Sequence, residues 1–197
     1  MDKLIARSTV AEQFADARVF PIRADGLQIS ELPLAGIIRV QGRTTHEAFR
    51  TQVTASLGVG VPTAERVSIG TDVRLAWAGP NEYLCFCALD AEEKLLSALT
   101  AALTGQFATV TLVSDSRIGF LIKGREAQAF ISKGCSLDMY RESFPVNRVV
   151  TTRFAGLPAM LMHRSESEYA VYFDIGYAEF VLKWMLDAAA EFLEATP

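Results

Sequence analysis

The chain carries the same small unit twice, and this constrains its fold more than any other feature. Ile37-Ile38-Arg39-Val40-Gln41-Gly42 is echoed by Gly119-Phe120-Leu121-Ile122-Lys123-Gly124. Asn81-Glu82-Tyr83-Leu84-Cys85-Phe86 is echoed by Ser167-Glu168-Tyr169-Ala170-Val171-Tyr172. Gly42 and Gly124 are 82 residues apart, and Glu82 and Glu168 are 86 apart. A near-constant offset over several elements points to duplication, and two copies make a pseudo-symmetric domain rather than a solenoid.

Within each copy the hydrophobic pattern switches between strand and helix periods. Leu34 to Gln41 reads as a strand. Thr44 and Glu47 have capping-box spacing ahead of a helix whose apolar face is Ala48, Phe49, Val53 and Leu57, stopped by Gly58. Val73, Leu75 and Trp77 alternate as in a half-buried strand. Gly79-Pro80-Asn81 is turn chemistry, and Tyr83 to Ala88 returns as the second arm of a hairpin. A helix from Asp90 carries Leu95, Leu96, Leu99 and Leu103 and ends at Gly105, and Phe107 to Val113 follows as a strand. The second copy has a strand at Ile118 to Ile122, a helix at Glu126 to Lys133, and strands at Val149 to Phe154, Pro158 to His163 and Tyr169 to Asp174. The closing helix puts Phe180, Val181, Trp184, Met185, Ala188 and Phe192 on one face. The prediction is an α+β domain of two pseudo-repeated β-α-β-β-α units with mainly antiparallel sheets. Its parts are an arm over residues 1–33, a first half over 34–117 and a second half over 118–197. Arg18 to Ile22 reads as a short extended piece of the arm, and Asp25-Gly26 as a turn.

Several functional classes fit poorly. With 50% hydrophobic and 21% charged residues, a real core is available. The net charge of −4, without a basic cluster, disfavours nucleic acid. The start of the chain lacks the apolar run of a signal peptide, and the apolar runs are too short to span a bilayer. The expectation is a soluble cytoplasmic protein. The three cysteines include no Cys-x-x-Cys pair, so neither a disulfide framework nor a zinc site is expected. His46 and His163 stand without a ligand pattern. Gly58-Val59-Gly60-Val61 runs into Pro62 and is not a phosphate loop. Neither a serine nucleophile elbow nor a metalloprotease helix occurs.

Chemistry is left with one loop, Lys133-Gly134-Cys135-Ser136-Leu137-Asp138, followed by Phe144-Pro145. Cys135 follows a helix stop, and Lys133 could favour its thiolate. The competing reading is a packed loop cysteine, with Asp138 accepting backbone N–H groups, and it prevails because neither a histidine nor a second cysteine stands nearby to activate or resolve the thiol. Asp115 and Arg117, in Ser114-Asp115-Ser116-Arg117, are either a capped turn or an ion pair fixing the junction of the halves.

That loop resembles the gamma subunit of heterotetrameric sarcosine oxidase. Trp77-Ala78-Gly79-Pro80-Asn81-Glu82-Tyr83 is similar to the family's hairpin, Val113 to Arg117 to its junction, and Trp184 to Phe192 to its closing helix. Leu57-Gly58-Val59, leading to Pro62-Thr63, agrees as well. Tyr83 stands where the family commonly has tryptophan, Ser116 replaces a small or amide residue, and Ile118-Gly119 follows where a polar residue is common. The resemblance spans roughly residues 33 to 193 and implies an aminomethyltransferase or folate-binding-like fold. It also implies a non-catalytic subunit without a cofactor of its own, packed on a large alpha subunit beside beta and delta subunits. FAD, FMN, NAD and tetrahydrofolate are then expected on the partners, in an assembly that demethylates sarcosine. Trp77, Gly79, Pro80, Glu82, Asp115, Arg117, Lys133, Gly134, Cys135, Leu137, Asp138, Phe144 and Pro145 are implied as structural or interface positions. In isolation the chain is expected to be able to form a homo-oligomer. The alternative is a stand-alone folate-binding protein related to iron–sulfur assembly or aminomethyltransferase proteins. Those assembly proteins share Lys-Gly-Cys but continue with Tyr, where this chain has Ser136.

Overall fold

The computed structural model describes Ser8, Val10 and residues 20–194. These divide into two compact units. A five-stranded unit comprises residues 35–115 and 147–150, and a six-stranded unit comprises the described residues up to 34, 116–146 and those from 151 onward.

The five-stranded unit contains β3 (Gly36–Gly42), α1 (Glu47–Leu57), β4 (Val67–Ile69), β5 (Val73–Gly79), β6 (Glu82–Cys87), α2 (Glu92–Ala102) and β7 (Ala108–Leu112). Its sheet order is β4-β5-β6-β3-β7, and every pair is antiparallel. Ile38, Val40, Leu75, Cys85, Val53 and Leu99 form its core, each wholly buried. Burying a side chain of this size stabilises by roughly 1.5–3 kcal/mol. Residues 147–150 lie along the β4 edge, where Val67 N–H donates to Asn147 O (3.1 Å) and Val149 N–H donates to Glu65 O (3.1 Å).

The six-stranded unit contains β1 (Ile22–Ala24), β2 (Leu27–Glu31), β8 (Arg117–Lys123), α3 (Ala127–Gly134), β10 (Leu157–Ser165), β11 (Glu168–Asp174) and α4 (Ala178–Glu194), together with residues 151–154 of β9 (Val149–Phe154). Its order is β1-β2-β8-β11-β10-β9. In its aromatic core Phe154 makes edge-on contacts with Phe173 (5.8 Å) and Trp184 (5.2 Å). Such pairs add about 0.5–1.5 kcal/mol beyond burial.

The antiparallel α+β architecture and its duplication are as the sequence predicts. Four local expectations are corrected. Thr44 does not cap α1: its N–H and hydroxyl both donate to Asn81 Oδ1, and His46 holds the N-cap without a side-chain bond. The helix expected from Asp90 starts at Glu92, because Leu89–Ala91 first forms a 3-10 turn. Ala48 is exposed at the start of α1, leaving Phe49, Val53 and Leu57 as its buried face. Phe180 is also exposed, whereas Val181, Met185 and Ala188 of the expected face are buried and are joined by Leu182 and Ala189. Arg18 and Val19 of the expected extended piece lie outside the described residues. The rest of the stretch read as an arm supplies β1 and β2, joined by the Asp25-Gly26 turn. Leu27 and Ile29 point into the core and Gln28 points out, a strand alternation too short to stand out in a polar context.

Candidate functional site

The distinctive loop is built into the core of the six-stranded unit. Gly134 ends α3, and a Cβ there would sit 2.7 Å from Trp184 Cη2 and 3.1 Å from the Phe154 ring. Cys135 then turns extended, and its N–H donates to Ile131 O. The thiol is buried, with Sγ 3.9 Å from Thr152 Oγ1. Lys133 directs its ammonium to α4, donating to Ala188 O (2.7 Å), pairing with Glu191 (2.9 Å) and lying 5.2 Å from the Phe192 ring centroid. Its charge therefore ties two helices together. Asp138 is exposed and accepts from Tyr140 N–H (3.0 Å) and Ser143 Oγ (2.6 Å). These two bonds, Ser143 first, hold its carboxyl below the usual carboxylate range.

Phe144 closes the loop. Its ring is stacked on His163 at 5.9 Å and 4°, and His163 is stacked on Tyr169 at 4.5 Å and 18°. His163 Nδ1 lies 2.7 Å from Phe144 O, so this nitrogen carries the hydrogen and donates to the carbonyl. His163 Nε2 is buried without a partner among the described residues. Gln128 Nε2 donates to the Tyr169 hydroxyl (2.9 Å), so α3 holds the base of the stack. Leu137 and Pro145 are half-buried on either side of the turn.

The hairpin positions gather in the five-stranded unit. Trp77 is half-buried against the core. Gly79 follows a register irregularity, and Asn81 takes a left-handed conformation (φ 62°). Glu82 accepts from Gln41 Nε2 (2.7 Å), and Gln41 Oε1 accepts from Thr109 Oγ1 (3.1 Å). Pro80 and Asn81 line a groove of about 490 Å3 with Gln41, Arg43, Phe107 and Thr109. Asp115 lies in a 3-10 turn, Ser114–Ser116, that ends this unit, and Arg117 opens β8 in the other.

The remaining cysteines are core residues. Burial, with a smaller contribution from Cys87, pushes the Cys85 thiol up to about 12. All three are free thiols. Sequence reasoning missed the His163–Tyr169 stack and the Arg43–Phe107 groove. A signal for the groove was present, since Gly42-Arg43 and Gly124-Arg125 extend the repeat by one residue.

A model of the family described as "Sarcosine oxidase, gamma subunit family" matches residues 41–191. A sarcosine oxidase subunit gamma from Arthrobacter sp is 28% identical over 96% of this chain and 93% of its own length. One from Corynebacterium sp. (strain U-96) is 29% identical over 97% of this chain and 89% of its own length. Among solved structures, heterotetrameric sarcosine oxidase from Corynebacterium sp. U-96, in complex with pyrrole 2-carboxylate, contains a chain with a TM-score of 0.86. That match has 24% identity and covers 97% of this chain and 98% of that one. The glycine cleavage system aminomethyltransferase T from Bartonella henselae shares the fold at a TM-score of 0.60 and 12% identity, over 83% of this chain and 46% of that one.

Proposed function

The chain belongs to the sarcosine oxidase gamma subunit family, and on that premise we propose that it is a non-catalytic subunit of a heterotetrameric sarcosine oxidase. In this reading it packs on the large alpha subunit, in an assembly completed by beta and delta subunits. FAD, FMN, NAD and tetrahydrofolate are held by those partners, and sarcosine is demethylated there. The family match over residues 41–191 is the observation that carries the reading. The chemistry of the loop supports it. Cys135 is buried, Lys133 is spent on α4, and Asp138 is spent on its own turn, so the polar groups of the most distinctive segment serve the fold.

Among the described residues no helix is long and apolar enough to cross a membrane, and no three His, Cys, Asp or Glu side chains gather as a metal site. The test is co-expression with the other subunits of a sarcosine oxidase, followed by purification through a tag on the large subunit. The expected outcome is stoichiometric recovery of this chain with a flavin-containing complex. If the chain never co-purifies, the reading fails. Tetrahydrofolate titration of the isolated chain, with Cys135→Ala as comparison, separates the folate-binding alternative. Saturable binding that the substitution abolishes would establish that alternative.

A further inference from the structure

The duplication allows each unit to be used as a template for the other. β8 corresponds to β3, β11 to β6 and β10 to β5, with Gly124 at the place of Gly42 and Glu168 at that of Glu82. The turn before β11 repeats the turn before β6: Gly124 N–H donates to Ser167 O (3.0 Å) as Gly42 N–H does to Asn81 O (3.0 Å). Ser167 and Asn81 are both left-handed. On the far side of β8 lies β2, and on the far side of β3 lies β7. Leu32 N–H donates to Gly119 O and Val113 N–H donates to Ile37 O, both at 2.8 Å, so the two strands are also in equivalent register. Leu27 and Ile29 of β2 thus correspond to Ala108 and Val110 of β7.

The two strands differ in what lies beyond them. β2 is covered by β1, with Ile22 opposite Ile29 and Ala24 opposite Leu27. Among the described residues β7 is the last strand of its sheet. Because Val113 N–H bonds inward to β3, alternation along an antiparallel ladder directs the N–H and C=O of Val110 and Leu112 outward. Ile29 is wholly buried, and Val110 is only half-buried.

Edge strands are ordinarily blunted by charge, proline, a bulge or brevity. β7 reads Ala-Thr-Val-Thr-Leu, five residues in unbroken register, and has none of these protections. Two of the other edges are defended by length or pairing: β1 is three residues long and carries Arg23, and the β4 edge is paired with residues 147–150. The remaining edge strand, β9, carries the charge of Arg153. Phe107, just before β7, and Leu112, at its end, are 84% and 38% exposed.

Charge gives the same answer. Arg125 follows Gly124 as Arg43 follows Gly42. Arg125 is paired with Asp25 at 2.6 Å, and Asp25 is the residue that follows β1. Arg43 instead lies over the Phe107 ring, 5.5 Å from its centroid, and no carboxylate among the described residues pairs with it. A carboxylate following a strand added beside β7 would meet Arg43 as Asp25 meets Arg125.

We infer that β7 is a β-augmentation edge, on which an extended segment of a partner subunit pairs antiparallel, with apolar side chains opposite Val110 and Ala108 and an acidic residue after them against Arg43. The pattern is that of Ile22-Arg23-Ala24-Asp25 on β2. This rests on the subunit reading above. The groove of about 490 Å3 at the start of β7 receives the acidic end.

The test uses the co-expressed complex of full-length chains and the isolated chain. Hydrogen exchange at the Val110 and Leu112 amides is expected to slow by at least ~10-fold on assembly, relative to the isolated chain. Val110→Pro removes an outward N–H on an edge strand, where proline is tolerated, together with part of the packing of the half-buried valine, so the chain is expected to fold with some loss of stability while its recovery in the complex falls ~10-fold. Arg43→Glu is expected to weaken recovery less, with more loss at low salt than at high. If Val110→Pro fails to fold, the exchange measurement on the unaltered chain decides alone. Failure of the unaltered chain to co-purify brings down the subunit reading and this proposal with it. A formed complex in which both amides exchange as fast as in the isolated chain overturns this proposal alone. Protection already present in an isolated chain of dimeric mass assigns the edge to a second copy, which also overturns it.

Discussion

The two units meet the same problem, covering a sheet and its helices, with different material between the first helix and the next strand. In the five-stranded unit α1 stops at Gly58, which is left-handed with open space where a Cβ would go, and residues 59–66 lead directly to β4. In the six-stranded unit α3 stops at Gly134 against Trp184, and the longer stretch 135–146 follows, stacking Phe144 on His163 of β10. The strand position paired with the tyrosine repeated in each copy shows the consequence. Trp77 faces Tyr83 and is half-buried, while His163 faces Tyr169 and is buried beneath Phe144. A long loop that donates an aromatic ring can place a polar imidazole in a core position, because its own carbonyl supplies the hydrogen-bond acceptor. In the five-stranded unit an indole takes the corresponding place, half-buried against the core.

Breaking that roof is expected to have the largest effect. Phe144→Ala removes a ring that is 1% exposed and should lower the unfolding free energy by about 3–5 kcal/mol, measured by urea denaturation. A loss below about 1 kcal/mol would mean that the loop is an ornament on the six-stranded unit. Next comes the pair of equivalent edge positions. Ile29→Ala, beneath β1, should cost about 2–5 kcal/mol, whereas Val110→Ala in the isolated chain should cost about 1 kcal/mol or less. Equal costs would remove the contrast between a covered and an uncovered strand.

The helix stops sharpen the comparison further. Gly134→Ala should cost about 1–3 kcal/mol, because the added methyl must displace the Trp184 ring. Gly58→Ala meets no atom and should cost about 1 kcal/mol, the strain of a left-handed alanine. Thermal melts of the two variants can be read side by side. A crystal structure of Gly134→Ala should show the indole shifted.

Much of this was legible in the residues, where a period or a repeat carried it. Val73, Leu75 and Trp77 announce β5 by alternation, and the Glu-Tyr echo locates the two hairpins. What stayed hidden depends on partners distant in sequence. Thr44 has the spacing of a cap, but Asn81 takes its hydrogen bonds, and that competition is visible only when the hairpin folds back. β1 and β2 hid because three- and five-residue strands give too few alternations to rise above a polar background. At the loop, Lys133 and Cys135 are two residues apart in sequence but turn different ways, Cys135 inward to Thr152 and Lys133 to α4. The aromatic stack escaped notice because Phe144, His163 and Tyr169 belong to three different segments.

The smallest expected effect is a titration confined to the loop of the six-stranded unit. Asp138 is exposed, and its carboxylate is held below its ordinary value of 3.8 by Ser143 Oγ and Tyr140 N–H. A folded value depressed below the unfolded one means that the carboxylate contributes stability at pH values above about 3.8, and that this contribution fades as pH falls through the lower folded value. Asp138→Asn keeps one acceptor oxygen but loses the charge, so the variant should melt slightly below the unaltered chain at pH 7. The two melting curves should converge as the pH falls below 3.8, where the native carboxylate takes up its proton. A gap that persists unchanged in acid would mean that the turn is held by its shape and not by the charge. The loop would then owe its order to the Phe144 stack alone, as Trp77 in the other unit owes its place to packing.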